Sequence, residues 1–159
     1  MGAMKDVKAT VKGMSGVFKH LMEEHGKVGA LLKRVSMSSD EKVRAQLFPT
    51  IRSELLGHET AELKVVYPAL AEYPEMSQIA EEHARQAGEL RRCIDELDRL
   101  SFSDAGWGPM FDRLANMVED HVSKEEGDYF PKAQKVIGDE RAKALLPQFE
   151  AAKKSVPGA

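Results

Sequence analysis

Two eleven-residue segments of this 159-residue sequence carry residues that could bind a metal. The segment "HETAELKVVYP" begins at His58, and the segment "HVSKEEGDYFP" begins at His121. Each has Glu four positions after the His and ends with an aromatic residue followed by Pro. Residues four apart on a helix lie on one face, with their Cβ atoms about 5–6 Å apart. The spacing therefore predicts that two His–Glu pairs, His58 with Glu62 and His121 with Glu125, each face a metal centre.

A second repeat lies upstream of each segment. "EEHGKVGALLKR" begins at Glu23 and "EEHARQAGELRR" at Glu81, and the two share Glu-Glu-His, a Leu and the final Arg. The sequence thus predicts two helical hairpins, each with one His in its first helix and a His-x-x-x-Glu pair in its second. Pairing the hairpins brings four imidazoles and two carboxylates together as candidate metal ligands: His25, His58, Glu62, His83, His121 and Glu125.

This set of ligands favours two metal ions over one. A buried glutamate is unfavourable unless it is paired or coordinates a cation, and two ions bridged by both carboxylates would satisfy Glu62 and Glu125. A single structural zinc takes four ligands, so six are too many for it. Imidazole with carboxylate suits iron, manganese or zinc. Cys93 is the only cysteine, so no thiolate cluster favours a softer metal.

The chain is rich in helix-forming residues and shows no sustained strand-like alternation. These features predict an all-α fold: an up-down-up-down four-helix bundle with a short additional C-terminal helix, in a single domain over residues 1–159. Pro49 is expected to kink or split the second helix, and "PALAEYPE" is expected to form a connector. The last helix is expected to pack outside the bundle, which covers about residues 14–135. The helices are predicted at residues 14–36, 40–66, 75–100, 109–126 and 139–154.

Composition excludes several classes of partner. The net charge of −3 gives no basic footprint for nucleic acid. No apolar run approaches the roughly 18 residues that a membrane span needs, and the N-terminal segment is too polar for a signal peptide. We therefore expect a cytoplasmic protein without nucleic-acid or membrane partners. The acidic residues beside the first His of each hairpin are expected to be solvated on helix surfaces: Glu23, Glu24, Glu81 and Glu82.

These motifs resemble the hemerythrin-like family, the HHE cation-binding domain, over roughly residues 14–135. All six candidate ligands match the family pattern residue by residue, and the aromatic-Pro elements at Tyr67 and Phe130 match its closing element. The resemblance implies a non-haem di-iron centre inside the bundle: two iron ions with an oxo or hydroxo bridge, and Glu62 and Glu125 as bridging carboxylates. Tyr67 and Phe130 are expected to close one end of the core.

The sequence departs from the oxygen-carrying members at Ala87, where they have a second His one turn after the third-helix His. One iron would therefore lack an imidazole. Glu59 could replace it, because His58-Glu59 resembles the metal-binding His-Glu pair in the hemerythrin-like domain of an iron-sensing F-box protein; water could also fill the position. His20 lies five residues before His25, about 140° away around the helix, so we expect it to face elsewhere.

The fourth helix leaves a choice between two neighbouring carboxylates. The oxygen carriers place theirs five residues after the fourth-helix His, which would select Glu126. The spacing of four in the first hairpin, and the distance of six residues from the carboxylate to the Pro, favour Glu125.

Two functions follow from the resemblance. The first is a metal-binding protein that binds or senses dioxygen, nitric oxide or iron at the di-iron centre. The alternative is a di-iron stress enzyme that reduces nitric oxide or decomposes peroxide. The expected partner is therefore a small diatomic ligand or peroxide, and a sensor would also need a protein partner that the sequence does not name.

Overall fold

The computed structural model of the protein describes residues 13–156, and over that range it contains helices and turns but no strand. This confirms the predicted all-α class. Two π-helical turns, Glu62–Val66 and Glu125–Tyr129, and one 3₁₀ turn, Pro74–Met76, join longer elements. The α-helices are α1 Gly16–Ser36, α2 Glu41–Ala61, α3 Tyr67–Ala71, α4 Ser77–Asp98, α5 Trp107–Lys124 and α6 Phe130–Lys154.

Helices α1, α2, α4 and α5 form the bundle. Helix α1 packs against α2 and α5, and α4 packs against α5. Two apolar clusters fill the core, one around Phe18, Leu70 and Phe130 and the other around Ile51, Leu97 and Phe111. Buried polar and charged residues lie between these clusters along the helices, so the candidate metal ligands form a central layer of the bundle.

Each His-x-x-x-Glu pair is followed by a π-helical turn that begins at the glutamate. The backbone N–H of Tyr67 donates to the carbonyl of Glu62, and that of Phe130 donates to the carbonyl of Glu125. The next residue in each case is Pro, which lacks an N–H and cannot continue the α-helical hydrogen-bond ladder. The aromatic-Pro element therefore marks a π-turn, a feature frequent at functional sites, rather than a helix end.

The expected split of the second helix at Pro49 is wrong, because α2 continues through this residue. Pro49 is exposed, and so is Ala45, whose carbonyl would have accepted the missing hydrogen bond. Water can satisfy that carbonyl, so the helix tolerates the proline. The predicted connector "PALAEYPE" is also wrong for its first half, which forms α3.

The C-terminal helix begins earlier than predicted, because the π-turn carries the chain from α5 directly into α6. Helix α6 has a break at Gly138, where φ is 83°, and its second half packs against α1 and α2. The approach to α1 is close: a Cβ at Gly16, where φ is 54°, would lie 2.4 Å from the backbone of Ala142. The fold is thus a four-helix bundle with an additional helix, as predicted. None of the described helices is long and apolar enough to cross a membrane.

Candidate metal centre

Seven buried His and Glu side chains form two groups with the geometry to hold metal ions. In each group one ligand atom per residue lies within 4.8 Å of the corresponding atoms of the others. The structure thus brings together all six residues predicted from the sequence and adds Glu59. The four-residue group is Glu59, Glu62, His83 and His121, and the three-residue group is His25, His58 and Glu125.

Glu62 belongs to one group and Glu125 to the other, and both lie where the two groups meet. The Oε1 atom of Glu62 is 3.2 Å from Nε2 of His58 and 3.2 Å from Nε2 of His83. The Oε1 atom of Glu125 is 3.1 Å from Nε2 of His25 and 3.4 Å from Nε2 of His121. Each carboxylate therefore contacts an imidazole from both groups, which is the placement that a bridge between two ions requires.

Glu59 lies in the region that Ala87 leaves open. Its Oε1 atom is 3.1 Å from Nε2 of His121, and its Oε2 atom is 3.3 Å from Nε2 of His83. Ala87 and Glu59 line the same surface pocket. Of the two replacements that the sequence left open, the structure thus places the carboxylate within the four-residue group.

Three imidazoles are oriented by hydrogen bonds at their outer nitrogen. Outer-shell partners of this kind fix the ring tautomer and orientation, so that Nε2 presents its lone pair to a metal. None of these partners is predicted by the sequence: Glu24 is expected on the surface, Glu126 is an alternative bridge, and Gln86 carries no signal there. The Nδ1 contacts are His25 to Glu126 Oε2 at 2.8 Å, His58 to Glu24 Oε1 at 2.8 Å and His121 to Gln86 Oε1 at 2.9 Å.

Tyr67 contributes more than closure of the core. Its ring stacks on that of His83, with centroids 3.6 Å apart and an interplanar angle of 8°. Its hydroxyl donates to Glu125 Oε2 at 2.6 Å. Burial, and the charge of Glu125, raise the pKa of Tyr67 well above its usual value, so the hydroxyl stays protonated as a donor. The other aromatic closing residue, Phe130, is fully buried as expected.

His20 lies outside both groups. Its Nε2 atom is 2.9 Å from Glu24 Oε2, one turn further along α1, so it contacts a residue that orients His58. This placement agrees with the helix rotation that separates His20 from His25.

The donor atoms fit bound cations. Unpaired buried polar groups are rare, and each costs about 1–3 kcal/mol. Cations bound within the two groups would satisfy several such atoms at once. The buried atoms without a hydrogen-bond partner include Nε2 of His25, His58 and His121, Oε2 of Glu59 and Glu62, and Oε1 of Glu125.

The electrostatics point to the same requirement. Burial alone lowers the pKa of a histidine, but the carboxylates of Glu62 and Glu59 outweigh it, raising the pKa of His83 to about 10 and that of His121 to about 9. Burial and the charge of Glu125 raise the pKa of Glu62. The centre thus concentrates negative charge that needs cations, and metal ions would replace the protons that the imidazoles otherwise hold.

Several openings among the described residues adjoin the candidate ligands, and two of them are lined by both Glu59 and His121. A surface pocket of about 150 Å³ beside Ala87 reaches Glu59 and His121. The same two residues also line a small cavity of about 20 Å³, with a mainly apolar wall. Its apolar lining residues are Val28, Leu55, Leu90, Val118 and Val122.

The chain belongs to the hemerythrin HHE cation-binding domain family, because residues 16–133 match the profile of that family. A curated protein from Nostoc sp. (strain PCC 7120), named "DNA nickase", is 26% identical to it over 133 residues. The match covers 84% of this chain but 38% of the relative, so the chain spans well under half of that protein. No solved structure matches the chain significantly.

Proposed function

We propose that the two ligand groups hold two iron ions and that the protein binds or senses a small diatomic molecule there, dioxygen or nitric oxide. The observation that carries this proposal is the small cavity against the ligand atoms. Imidazoles with carboxylates form a donor set that suits iron. Two ferrous ions would supply the electrons and the open coordination position that such a ligand needs.

The cavity has the size and chemistry for a diatomic ligand. A volume of about 10–15 Å³ accommodates one water-sized molecule, and this cavity measures about 20 Å³. Valine and leucine side chains form most of its wall, and the polar residues that line the rest are Glu24, His25, His58, Glu59 and His121. An apolar ligand is therefore favoured over water, which would find few hydrogen-bond partners on that wall.

Other side chains keep the centre in one arrangement. The Tyr67 hydroxyl holds one oxygen of Glu125, while the other oxygen of Glu125 contacts His25 and His121. Stacking on Tyr67 fixes the plane of the His83 ring. Because these donors are held in place, an external ligand would bind in the cavity and not at a position vacated by a ligand side chain.

Filling the cavity tests this proposal. Val118→Ile adds one methylene group at the cavity wall, and Val35→Ile is a matched control in the apolar cluster around Phe111. We expect Val118→Ile to retain its iron but to bind nitric oxide and dioxygen at least about tenfold more weakly, since even one methylene is felt in a packed interior. Stopped-flow absorption spectroscopy of the reduced protein measures both affinities. Equal affinities in the two variants, or no ligand-dependent spectrum in the wild type, would refute the proposal.

The surface pocket beside Ala87 favours the enzymatic alternative, reduction of nitric oxide or decomposition of peroxide. This pocket leads to Glu59 and His121 and includes polar residues such as Gln86 and Lys124, so a polar molecule such as peroxide could approach the four-residue group. Catalytic loss of peroxide or nitric oxide faster than with an equal amount of free iron would support the enzyme. Turnover no faster than free iron would rule it out.

We do not expect this chain to have the activity that the name of the Nostoc relative describes. Nicking requires a DNA phosphate to reach the reacting centre, and the seven ligand residues are all buried. The net charge of −3 provides no basic footprint for DNA. We expect no relaxation of supercoiled plasmid by the iron-loaded protein, and relaxation that required Glu62 would overturn this view.

A further inference from the structure

The last turns of α6 contact His58 and the carboxylate that orients it. The Phe149 side chain is fully buried, and its ring centroid lies 6.0 Å from that of His58. One turn later, Lys153 Nζ donates to Glu24 Oε2 at 2.8 Å and to Glu54 Oε2 at 2.8 Å. Residues four apart share a helix face, so Phe149 and Lys153 together cover this side of the centre.

Glu24 links the lysine to the candidate metal ligand. Its Oε1 atom accepts from His58 Nδ1 at 2.8 Å, while its Oε2 atom accepts from Lys153. Burial by itself raises the pKa of Glu24, but the hydrogen bonds from His58 and Lys153 outweigh burial and lower it to about 2. Both oxygens of this buried, ionised carboxylate thus have partners: His58 on α2 at Oε1, and Lys153 on α6 together with His20 on α1 at Oε2.

We propose that Lys153 is a positioning residue of the metal centre, acting on His58 through Glu24, and that metal binding and docking of the last turns of α6 stabilise each other. This places the C-terminal helix among the elements that build the centre, rather than only packing outside the bundle. The inference rests on the metal centre and is independent of the ligand that the centre binds.

The physical reason is the orientation of the His58 ring. His58 offers Nε2 to a metal only while Nδ1 faces Glu24, and Lys153 is the cation that holds the second oxygen of Glu24 in place. Without Lys153, the carboxylate would keep His20 at that oxygen but lose its contact with α6. Loss of an outer-shell partner typically weakens metal binding about 10–100-fold. Lys153 acts one contact further out, so we expect the lower end of that range.

Coupling of this kind is reciprocal. If docking of α6 strengthens metal binding, metal binding must strengthen docking of α6 by the same factor. Iron loading should therefore slow amide hydrogen exchange in the last turns of α6, at residues 149–154.

The test compares Lys153→Met with Lys154→Met, a matched change at the exposed neighbouring residue. Ferrous iron is loaded without oxygen, and its loss to an excess of chelator is followed by absorption. We expect iron loss about tenfold faster in Lys153→Met, an unchanged rate in Lys154→Met, and near wild-type behaviour in Lys153→Arg, which keeps the positive charge. Equal rates in Lys153→Met and the wild type would overturn the proposal.

A double-mutant cycle separates positioning from general loosening of the fold. If Lys153 acts through Glu24, adding Lys153→Met to Glu24→Gln should not make iron loss any faster, because Glu24→Gln has already removed the carboxylate through which Lys153 acts. Independent effects would instead multiply and would refute the route through Glu24. Hydrogen exchange at residues 149–154 gives a second readout: protection by iron in the wild type and its loss in Lys153→Met are expected, and unchanged exchange on loading contradicts the coupling.

Iron uptake and ligand binding distinguish a wrong role for Lys153 from a wrong proposed function. A wild-type protein that takes up no ferrous iron refutes both. A protein that binds iron, but neither nitric oxide nor dioxygen, refutes only the ligand proposal, and the iron-loss rates still decide the role of Lys153.

Discussion

Replacement of Glu59 by Gln tests how the four-residue group is completed. Gln keeps the shape of the side chain but removes the charge that contacts His121 Nε2 at 3.1 Å and His83 Nε2 at 3.3 Å. Loss of an outer-shell partner alone typically weakens metal binding about 10–100-fold, and Glu59 would itself be a ligand of the four-residue group, so its loss should reach at least the upper end of that range. Binding of one metal ion should therefore weaken about a hundredfold or more, which is about 2.8 kcal/mol at 1.4 kcal/mol for each factor of ten.

The assay is iron per chain after reconstitution and desalting in the presence of a competing chelator. We expect the iron content of Glu59→Gln to fall towards one per chain, while Glu119→Gln, an exposed change on α5, keeps the wild-type content. Adding Ala87→His to Glu59→Gln should restore the second ion, because Ala87 lines the pocket that reaches this group. Undiminished iron in Glu59→Gln would show that water, not Glu59, completes the site.

Three further changes probe the fold around the centre. Tyr67→Phe leaves a buried oxygen of Glu125 without its donor, so denaturant titration of the metal-free protein should show a free energy of unfolding lower by about 1–3 kcal/mol; an unchanged value would mean that the bond contributes nothing. Gly16→Ala places a Cβ 2.4 Å from the backbone of Ala142 at a positive φ, and thermal melting should show a loss of stability from strain of about 1–3 kcal/mol. Gly26→Ala lies inside α1, and its added Cβ would have nothing within 4 Å, so this change should instead raise the free energy of unfolding by up to about 1 kcal/mol. A change of stability with the same sign in both glycine variants would refute the reasoning.

Proline shows where sequence reasoning succeeds and where it fails. Absence of an N–H is a property of the residue, and it is visible at Pro49, Pro68 and Pro131 alike. The outcome differs: α2 passes through the exposed Pro49, whereas π-turns precede Pro68 and Pro131 beside the buried glutamates. Solvent or another backbone group can replace the missing hydrogen bond, and only the surroundings decide which one does.

The spacing of His and Glu within single helices was enough to predict most of the candidate metal ligands. A His and a Glu four residues apart share a face in any α-helix, and the repeat of this pair made convergence of two hairpins the natural expectation. The six predicted residues therefore lie together in the structure. The helical class follows from the same local periodicity.

The sequence did not predict the side-chain contacts between helices. Glu24 follows another acidic residue in the sequence, as a surface acid would, yet it is buried in the structure. It contacts His58 on α2, and α6 turns at Gly138 and returns along α1 to bring Lys153 against it. Gln86 and Glu126 orient imidazoles on other helices in the same way. The sequence determined which side chains share a helix face, because helix geometry is local. The tertiary structure decided which carboxylates lie where the two groups meet, which contact the outer nitrogen of an imidazole and which helix supplies them, because those positions depend on distances between segments far apart in the chain.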